Sequence, residues 1–425
     1  MSERLVALLN GREIGTVDYD KSRLSFTYAQ TWRDDPEAYP LSLSMPLGAA
    51  THGHARVDAF LWGLLPDNDR VLQTWAQRFQ VSPRNAFRLI AHVGEDCAGA
   101  VQFVRPDRVE ALVAGGSTDK VQWLTTKDVA HRLADLVRDP AEGRVASDRG
   151  QFSLAGAQPK TALLKEKGRW GVPQGRIPTT HILKPPTGDW VGHAENEHFC
   201  LQLARAVGLM VPNSAVEHFE DQVTIVVERF DRLHTKAGWT RIHQEDFCQT
   251  LGVHPAKKYE SDGGPGVAAL ADVLRAHSTV AEEDLWSLMD GVAFNWLIAG
   301  TDAHAKNYAL LLGPGVVRLA PFYDLASILP YANIDRRKAK LAMKLGGEYL
   351  LQNIALRHWQ RLAQTVHLPA EALVDRVRNL ARQLPDQIEA VRKACLKEKL
   401  MPNAVDPVAQ ALMERMPICF RQLGL

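Results

Sequence analysis

No two of the five cysteines, Cys97, Cys200, Cys248, Cys395 and Cys419, form a C-x-x-C pair. Their scatter argues against a disulfide framework and against a structural zinc site. Neither sign of charge is in surplus. The formal net charge is +1, which supplies no general pull toward nucleic acid. A local basic face stays open in RKACLKEK, residues 392–399, with a solvated helix surface as the competing reading. Long apolar runs are missing as well. The one in SERLVALLNGREIG, just after Met1, is far too short for a signal peptide or a membrane span. The expectation is a cytoplasmic, reducing location with no membrane partner. Tandem repeats and low-complexity segments are absent too. What remains is ordinary globular composition, 46% hydrophobic and 23% charged, ample for a sizeable core. At 425 residues, two or three domains are expected.

The chain reads first as hairpins. RLVALL is a short apolar run, Asn10-Gly11 is the strongest two-residue hairpin signal, and EIGTVDY and LSFTYA follow as strands. VDAFLWGLLPDNDRVLQTWAQRF looks helical, interrupted near Pro66, and AGAVQFV returns to strand. Residues 1–105 are therefore expected to form a small α+β unit. Residues 106–150 lack clear strands. They offer one amphipathic helix, TTKDVAHRLADLVRD, with Thr126 as N-cap, then a linker, PAEGRVASDRGQ, expected to be mobile. Residues 151–238 are β-rich: TALLK, RWGV, THILK and QVTIVVERF read as strands. The helix ENEHFCLQLARAVGL interrupts them and closes at Gly208. Residues 239–425 are helical in period, through VAALADVLRAHS, EEDLWSLMDGVAFNWLIAG, IALRHWQRLAQTVH, PAEALVDRVRNLARQL and DPVAQALMERM. A β-rich lobe before a helical lobe predicts a cleft between lobes, where ligands commonly sit.

Four constellations carry candidate chemistry. In FSLAGAQPKTALLK, the small residues Ser153, Ala155, Gly156 and Ala157 precede a strand, where backbone N–H groups can approach a phosphate, and Lys160 can add a charge. An ordinary tight turn is the competing reading. Lys184 ends the strand of THILKPP and can meet an anion, with Glu197 as its natural partner. A solvated strand-end lysine and a helix N-terminal glutamate favoured by the macrodipole compete with that. IVVERFDR runs an apolar strand into Glu228, Arg229 and Phe230, whose backbone could pair with a purine edge; a buried strand ending in a charged turn is the alternative. The last is GTDAHAKNYALLL with LAPFYDLAS. Asp302 stands five residues before Asn307, and Asp324 seventeen after it. Asp and Asn oxygens suit Mg²⁺, and an Asp ahead of the Asn can orient or deprotonate a hydroxyl. D-x-x-x-x-N followed by a second Asp is the order of kinase catalytic loops. Here Gly300-Thr301 replaces the usual H-R, and Tyr323-Asp324-Leu325 replaces D-F-G. A polar helix terminus with incidental capping competes. His304 lacks a second His at i+4 and a nearby Cys, so a zinc site is not expected.

Taken together, these residues resemble the HipA family of serine/threonine kinases, the toxin half of a bacterial toxin–antitoxin pair. The resemblance spans essentially the whole chain, through LSLSMPL, LLPDN, VGEDCAGAVQ, SLAGAQPKTALL, PTTHILK, NEHFCLQLA, VERFDR, QEDFCQTLG, KYESDGGPG, TDAHAKN and PFYD. It implies an α+β, two-lobed protein-kinase-like fold with a β-rich N-lobe, an all-α C-lobe and an extra N-terminal α+β subdomain. It implies Asp302 as catalytic base, Asn307 and Asp324 as Mg²⁺ ligands, and Lys184 on the ATP phosphates. Ala155, Gly156, Ala157, Gln158, Pro159 and Lys160 would form the phosphate loop. Glu228, Arg229 and Phe230 would form the adenine hinge. His304, Ala305, Lys306 and Tyr323 would line the nucleotide site, and Ser153 would be phosphorylated by the kinase itself. The implied substrate is an aminoacyl-tRNA synthetase. The implied partner is a HipB-like helix-turn-helix antitoxin, through which the complex would bind operator DNA. A small-molecule or lipid kinase and a non-catalytic DNA-bound co-repressor are the alternatives.

Overall fold

The computed structural model describes residues 3–114, 119–138, 153–156, 158–186, 192–236 and 238–425. Ala157 and the whole of the linker read at 140–151 lie outside them. The chain divides into two compact units: residues 1–185, 217–256 and 310–317, and residues 186–216, 257–309 and 318–425.

In the first unit, a five-stranded sheet takes the order Thr51–Gly53, Arg23–Tyr28, Arg12–Asp20, Glu3–Leu9, Val101–Val104. Asn10 and Gly11, at φ +47° and +79°, make the tight turn their sequence predicts. Strand Glu3–Leu9 is apolar without alternation because both its faces are covered. Leu5, Ala7 and Leu9 join a core with Phe26, Phe60, Phe87 and Phe103, while Val6 and Leu8 meet Leu112. The helical stretch breaks as expected, into His54–Leu64 and Asp69–Phe79, the second capped by the Asn68 side chain.

A six-stranded sheet follows, in the order Ser214–Phe219, Gln222–Glu228, His181–Lys184, Thr161–Glu166, Arg169–Pro173, Val121–Leu124. Its last strand falls where the sequence showed none: Val121–Leu124 is short and only half-buried, so apolar periodicity cannot reveal it. Helix Thr126–Arg138 packs Val129, Leu133 and Leu136 on this sheet. Its N-cap is Thr125, one residue earlier than expected. Asp128 N–H donates to Thr125 Oγ1 at 3.2 Å, and Thr125 N–H donates back to the Asp128 carboxylate at 2.8 Å.

A buried ionic cluster ties the two sheets together. Asp96 accepts from Arg232 at 2.9 Å, from Arg241 at 3.3 Å, and from the Thr179 hydroxyl at 2.7 Å. Arg229 forks onto Asp231 and donates to the Cys97 carbonyl at 2.7 Å. Burial alone would raise the Asp96 carboxyl, but the three guanidiniums overcome it and hold it well below the usual carboxylate range. Removing one member of such a cluster typically costs about 3–5 kcal/mol, because the others are left buried and uncompensated.

The second unit is helical: His193–Ala206, Val267–His277, Ala281–Ile298, Leu356–Thr365, Ala370–Lys397 and Pro402–Leu423. Within 239–425 the all-α expectation is qualified by a three-stranded sheet, His243–Asp246, Ala309–Gly313 and Val316–Leu319, and by the hairpin Lys340–Leu345 with Glu348–Leu350. Two helices outrun their predicted ends. They pass through Pro385, Pro407 and Pro417, where the sequence suggested boundaries. An interior proline costs about 3 kcal/mol. The buried stripe Leu380, Ala381, Leu384, Ile388, Val391 and Cys395 continues on both sides of Pro385 and offsets that cost.

Candidate active site

Helix Ala281–Ile298 sets up the polar loop that follows it. From Leu288 onward nearly every residue is buried. Its last carbonyls, Trp296 and Leu297, accept from the buried Arg415 guanidinium at 2.7 and 2.9 Å, a favourable cation for a helix C-terminus. Ala299 then turns left-handed at φ +55°, and Gly300 N–H donates to the Asn295 carbonyl at 2.7 Å. A Cβ on Gly300 would lie 2.5 Å from Asn295 Oδ1, so a glycine stands where the kinase pattern has a larger residue.

The loop 302–307 closes on itself. His304 N–H and the Asn307 amide both donate to the Asp302 carbonyl, at 2.8 and 2.9 Å, and Asn307 N–H donates to the His304 carbonyl. This pins Asp302 to Asn307 and leaves the Asp302 side chain exposed. Its Oδ1 accepts the Tyr259 hydroxyl at 2.7 Å, and the Tyr259 ring stands edge-on to His304 at 5.0 Å. His304, Ala305 and Lys306 are buried. The Tyr323 hydroxyl donates to the Lys306 carbonyl at 2.6 Å, which ties the Asp324 segment to the loop. Buried Phe322 and Leu325 anchor that segment on either side, and Phe322 fits only because Gly291 carries no Cβ. Asp324 itself is held at φ +54°, a left-handed backbone uncommon outside glycine. Strain of this kind concentrates at functional sites. Asp302, Asn307, Lys306, Tyr323 and Asp324 thus come together within one unit.

The first unit carries the other candidates. Lys184 is buried at the end of the strand His181–Lys184 and pairs across to Ile225, while Glu228 pairs with His181. The expected hinge and the expected phosphate lysine therefore lie about 10 Å apart along one strand pair, at 3.3 Å per residue. Arg229 departs from a simple hinge. Its N–H is used by the Thr180 carbonyl at 2.9 Å, and its side chain belongs to the buried ionic cluster. The loop after Ser153 folds round its own lysine: Lys160 Nζ donates to the Ala155 carbonyl at 2.7 Å, beside Gly156 at φ +104°. Asp67 N–H donates to the Gly156 carbonyl at 3.2 Å. Ser153 is fully buried, and its hydroxyl donates to the Leu64 carbonyl at 2.7 Å. Gln158 and Pro159 follow in the same loop, half-buried. Glu197, on helix His193–Ala206, is buried and belongs to the second unit.

Oxygen donors on Asn307 and Asp324 fit a hard divalent cation that keeps phosphate and water in its shell. Among the described residues, no group of three or more His, Cys, Asp or Glu could hold a metal. In the basic stretch 392–399, Arg392 pairs with Asp406 at 2.7 Å and Lys393 with Glu389 at 3.5 Å. Among the described residues no helix is long and apolar enough to cross a membrane. Sequence reasoning did not assign Tyr259 or Asp96 to any role. The signal for Tyr259 was the glycine-rich turn that follows it.

Residues 5–104 match the HipA N-terminal domain family, and residues 152–388, more than half of the chain, match the HipA-like C-terminal domain family. The chain belongs to the HipA family. It is 36% identical over 385 residues to Y4mE of Sinorhizobium fredii, a kinase by name, covering 90% of each chain. It is 29% identical over 431 residues to the serine/threonine-protein kinase toxin HipA of Shewanella oneidensis, covering 97% of this chain and 94% of that one. Its fold matches HipA in the solved Shewanella oneidensis complex of HipA, HipB and operator DNA, at TM-score 0.83 and 27% identity over 99% and 98% of the two chains. The α+β, kinase-like fold expected for a HipA-family protein is therefore the fold of this one.

Proposed function

We propose that this HipA-family chain is an ATP-dependent serine/threonine protein kinase and the toxin of a HipBA-type pair. The observation that carries the reading is the self-closed loop that fixes Asp302 to Asn307, with the Asp302 carboxylate exposed and the strained Asp324 tied alongside. In the reaction, an acceptor serine or threonine oxygen bonds to the γ-phosphorus of ATP, the bond from that phosphorus to the β–γ bridging oxygen breaks, and ADP leaves. The hydroxyl proton passes to the Asp302 carboxylate. Asn307 and Asp324 would hold Mg²⁺, which supplies charge neutralisation on the phosphates when bound. Lys184 adds a cation for the phosphates, and the loop 155–160 would offer backbone N–H groups. Glu228 and Phe230 present backbone to the adenine, while the Arg229 side chain holds the hinge in place. Positioning and electrostatics carry most of such a reaction.

The acceptor in this reading is an aminoacyl-tRNA synthetase, and growth arrest follows from stalled charging. A HipB-like antitoxin would neutralise the protein and carry it to operator DNA, in line with the partners of its Shewanella relative. Self-phosphorylation at Ser153 would switch the kinase off. The test is transfer of label from γ-labelled ATP to protein in a bacterial extract. Asp302→Asn should lower the rate about 10²–10⁴-fold with ATP binding retained. Transfer at the normal rate by that variant would refute the assignment.

A further inference from the structure

The loop 257–266 is built to present one side chain. The Tyr259 carbonyl accepts two N–H groups, from Asp262 at 3.1 Å and Gly264 at 3.0 Å, which curl the chain tightly behind it. A Cβ at Gly264 would lie 1.9 Å from the Lys257 carbonyl oxygen and 2.7 Å from that of Tyr259, so only glycine closes the curl. Gly266 likewise leaves room for the Glu260 carboxyl, whose Oε2 accepts Lys344 N–H at 2.6 Å and moors the loop. The Lys258 carbonyl accepts Ala305 N–H at 3.4 Å, a direct tie to the loop that carries Asp302. The outcome is a phenol hydroxyl 2.7 Å from Asp302 Oδ1, with its ring set edge-on against buried His304.

We infer that Tyr259 is a positioning residue for phosphoryl transfer: its hydroxyl engages Oδ1 of Asp302 and turns Oδ2 toward the acceptor hydroxyl. This rests on the kinase reading above. An exposed carboxylate otherwise rotates freely about its χ2 torsion, which is broad for Asp. One charge-assisted hydrogen bond from a rigid donor removes that freedom. The assignment gives KYESDGGPG a purpose: the glycines shape the curl and the tyrosine is what the curl delivers. The phenol acts on the base and not on the nucleotide, so its loss should appear in turnover alone.

The experiment measures initial rates of label transfer from γ-labelled ATP to protein in a dialysed bacterial extract, over a range of ATP concentrations, for the full chain. Tyr259→Phe keeps the ring against His304 and removes only the hydroxyl. It should lower kcat about 10- to 100-fold, the size of a lost hydrogen bond to a charged group, with the KM for ATP and the thermal midpoint unchanged. Gly264→Ala, which displaces the tyrosine, should lower kcat similarly and add little to Tyr259→Phe. Unchanged kcat in either variant overturns the assignment, as does a change confined to KM. A raised kcat overturns it too, since the tyrosine would then be a plug that the acceptor must displace. Absence of transfer by the unaltered protein overturns the kinase reading, and this assignment with it.

Discussion

Glu245 shows what burial does to a single side chain. It sits at 1% exposure in the first unit, where Leu43 N–H donates to Oε1 at 2.9 Å. Burial pushes its carboxyl up from 4.5 to about 7, against the pull of Leu43 N–H and the Ser42 and Thr250 hydroxyls. The folded protein thus holds this proton where an unfolded chain has already lost it. The resulting stability is complete below about pH 4.5 and disappears as pH rises through 7. Glu245→Gln keeps the shape without the charge. Relative to wild type it should gain on the order of 3 kcal/mol between pH 4.5 and 8, at 1.36 kcal/mol per unit. Unfolding midpoints of the two proteins across that range check it, and parallel curves would contradict it. Nothing in QEDFC announces this, because the groups that enclose Glu245 include Ser42 and Leu43, some 200 residues earlier. Partners remote in sequence hid the Arg229 side chain as well. VERFDR reads locally as a strand leading into a hinge, whereas its guanidinium answers Thr179 and the Cys97 carbonyl.

Among elements, those with strong local periodicity were legible and those fixed by tertiary contact were not. The strands Glu3–Leu9 and Thr161–Glu166 and the helix Ala281–Ile298 stand where their apolar patterns put them. Strand Val121–Leu124 and the proline-containing helix ends escaped, since a neighbouring sheet and a continuous buried stripe decide them. The Ser153 loop belongs to the second kind. Its sequence suggests a phosphate cradle, but only the fold reveals that the Ser153 hydroxyl is spent on the Leu64 carbonyl and its N–H on that of Asp96. A phosphoserine there could no longer donate, and its oxygens would face a carbonyl in a site without solvent. About −1.5 to −2 charge would accumulate. The loop must then leave its seat, and with it Gly156 and Lys160. Ser153-phosphorylated protein should bind ATP at least tenfold more weakly than the unmodified form, measured by titration calorimetry with Mg²⁺. Equal affinity would end the proposal.

At the scale of the whole molecule, the two compact units are not consecutive in the chain: 217–256 and 310–317 return to the first, and 186–216 belongs to the second. The residues assigned to the nucleotide are divided accordingly. Lys184 and Glu228–Phe230 lie in the first, while Asp302, Asn307 and Asp324 lie in the second. If one ATP answers to both sets, its binding energy must appear in the unfolding of both. ATP at one hundred times its Kd, with Mg²⁺, should add about 2.7 kcal/mol of stability. The shift should vanish with a chelator, because Asn307 and Asp324 would act on the phosphates through the metal. It should also vanish in Lys184→Ala and in Asp324→Ala separately, although these substitutions fall in different units. Scanning calorimetry with and without Mg²⁺-ATP measures it. A shift that survives either substitution in full would mean that the residue takes no part in holding the nucleotide, and the division of labour proposed between the two sets would fail.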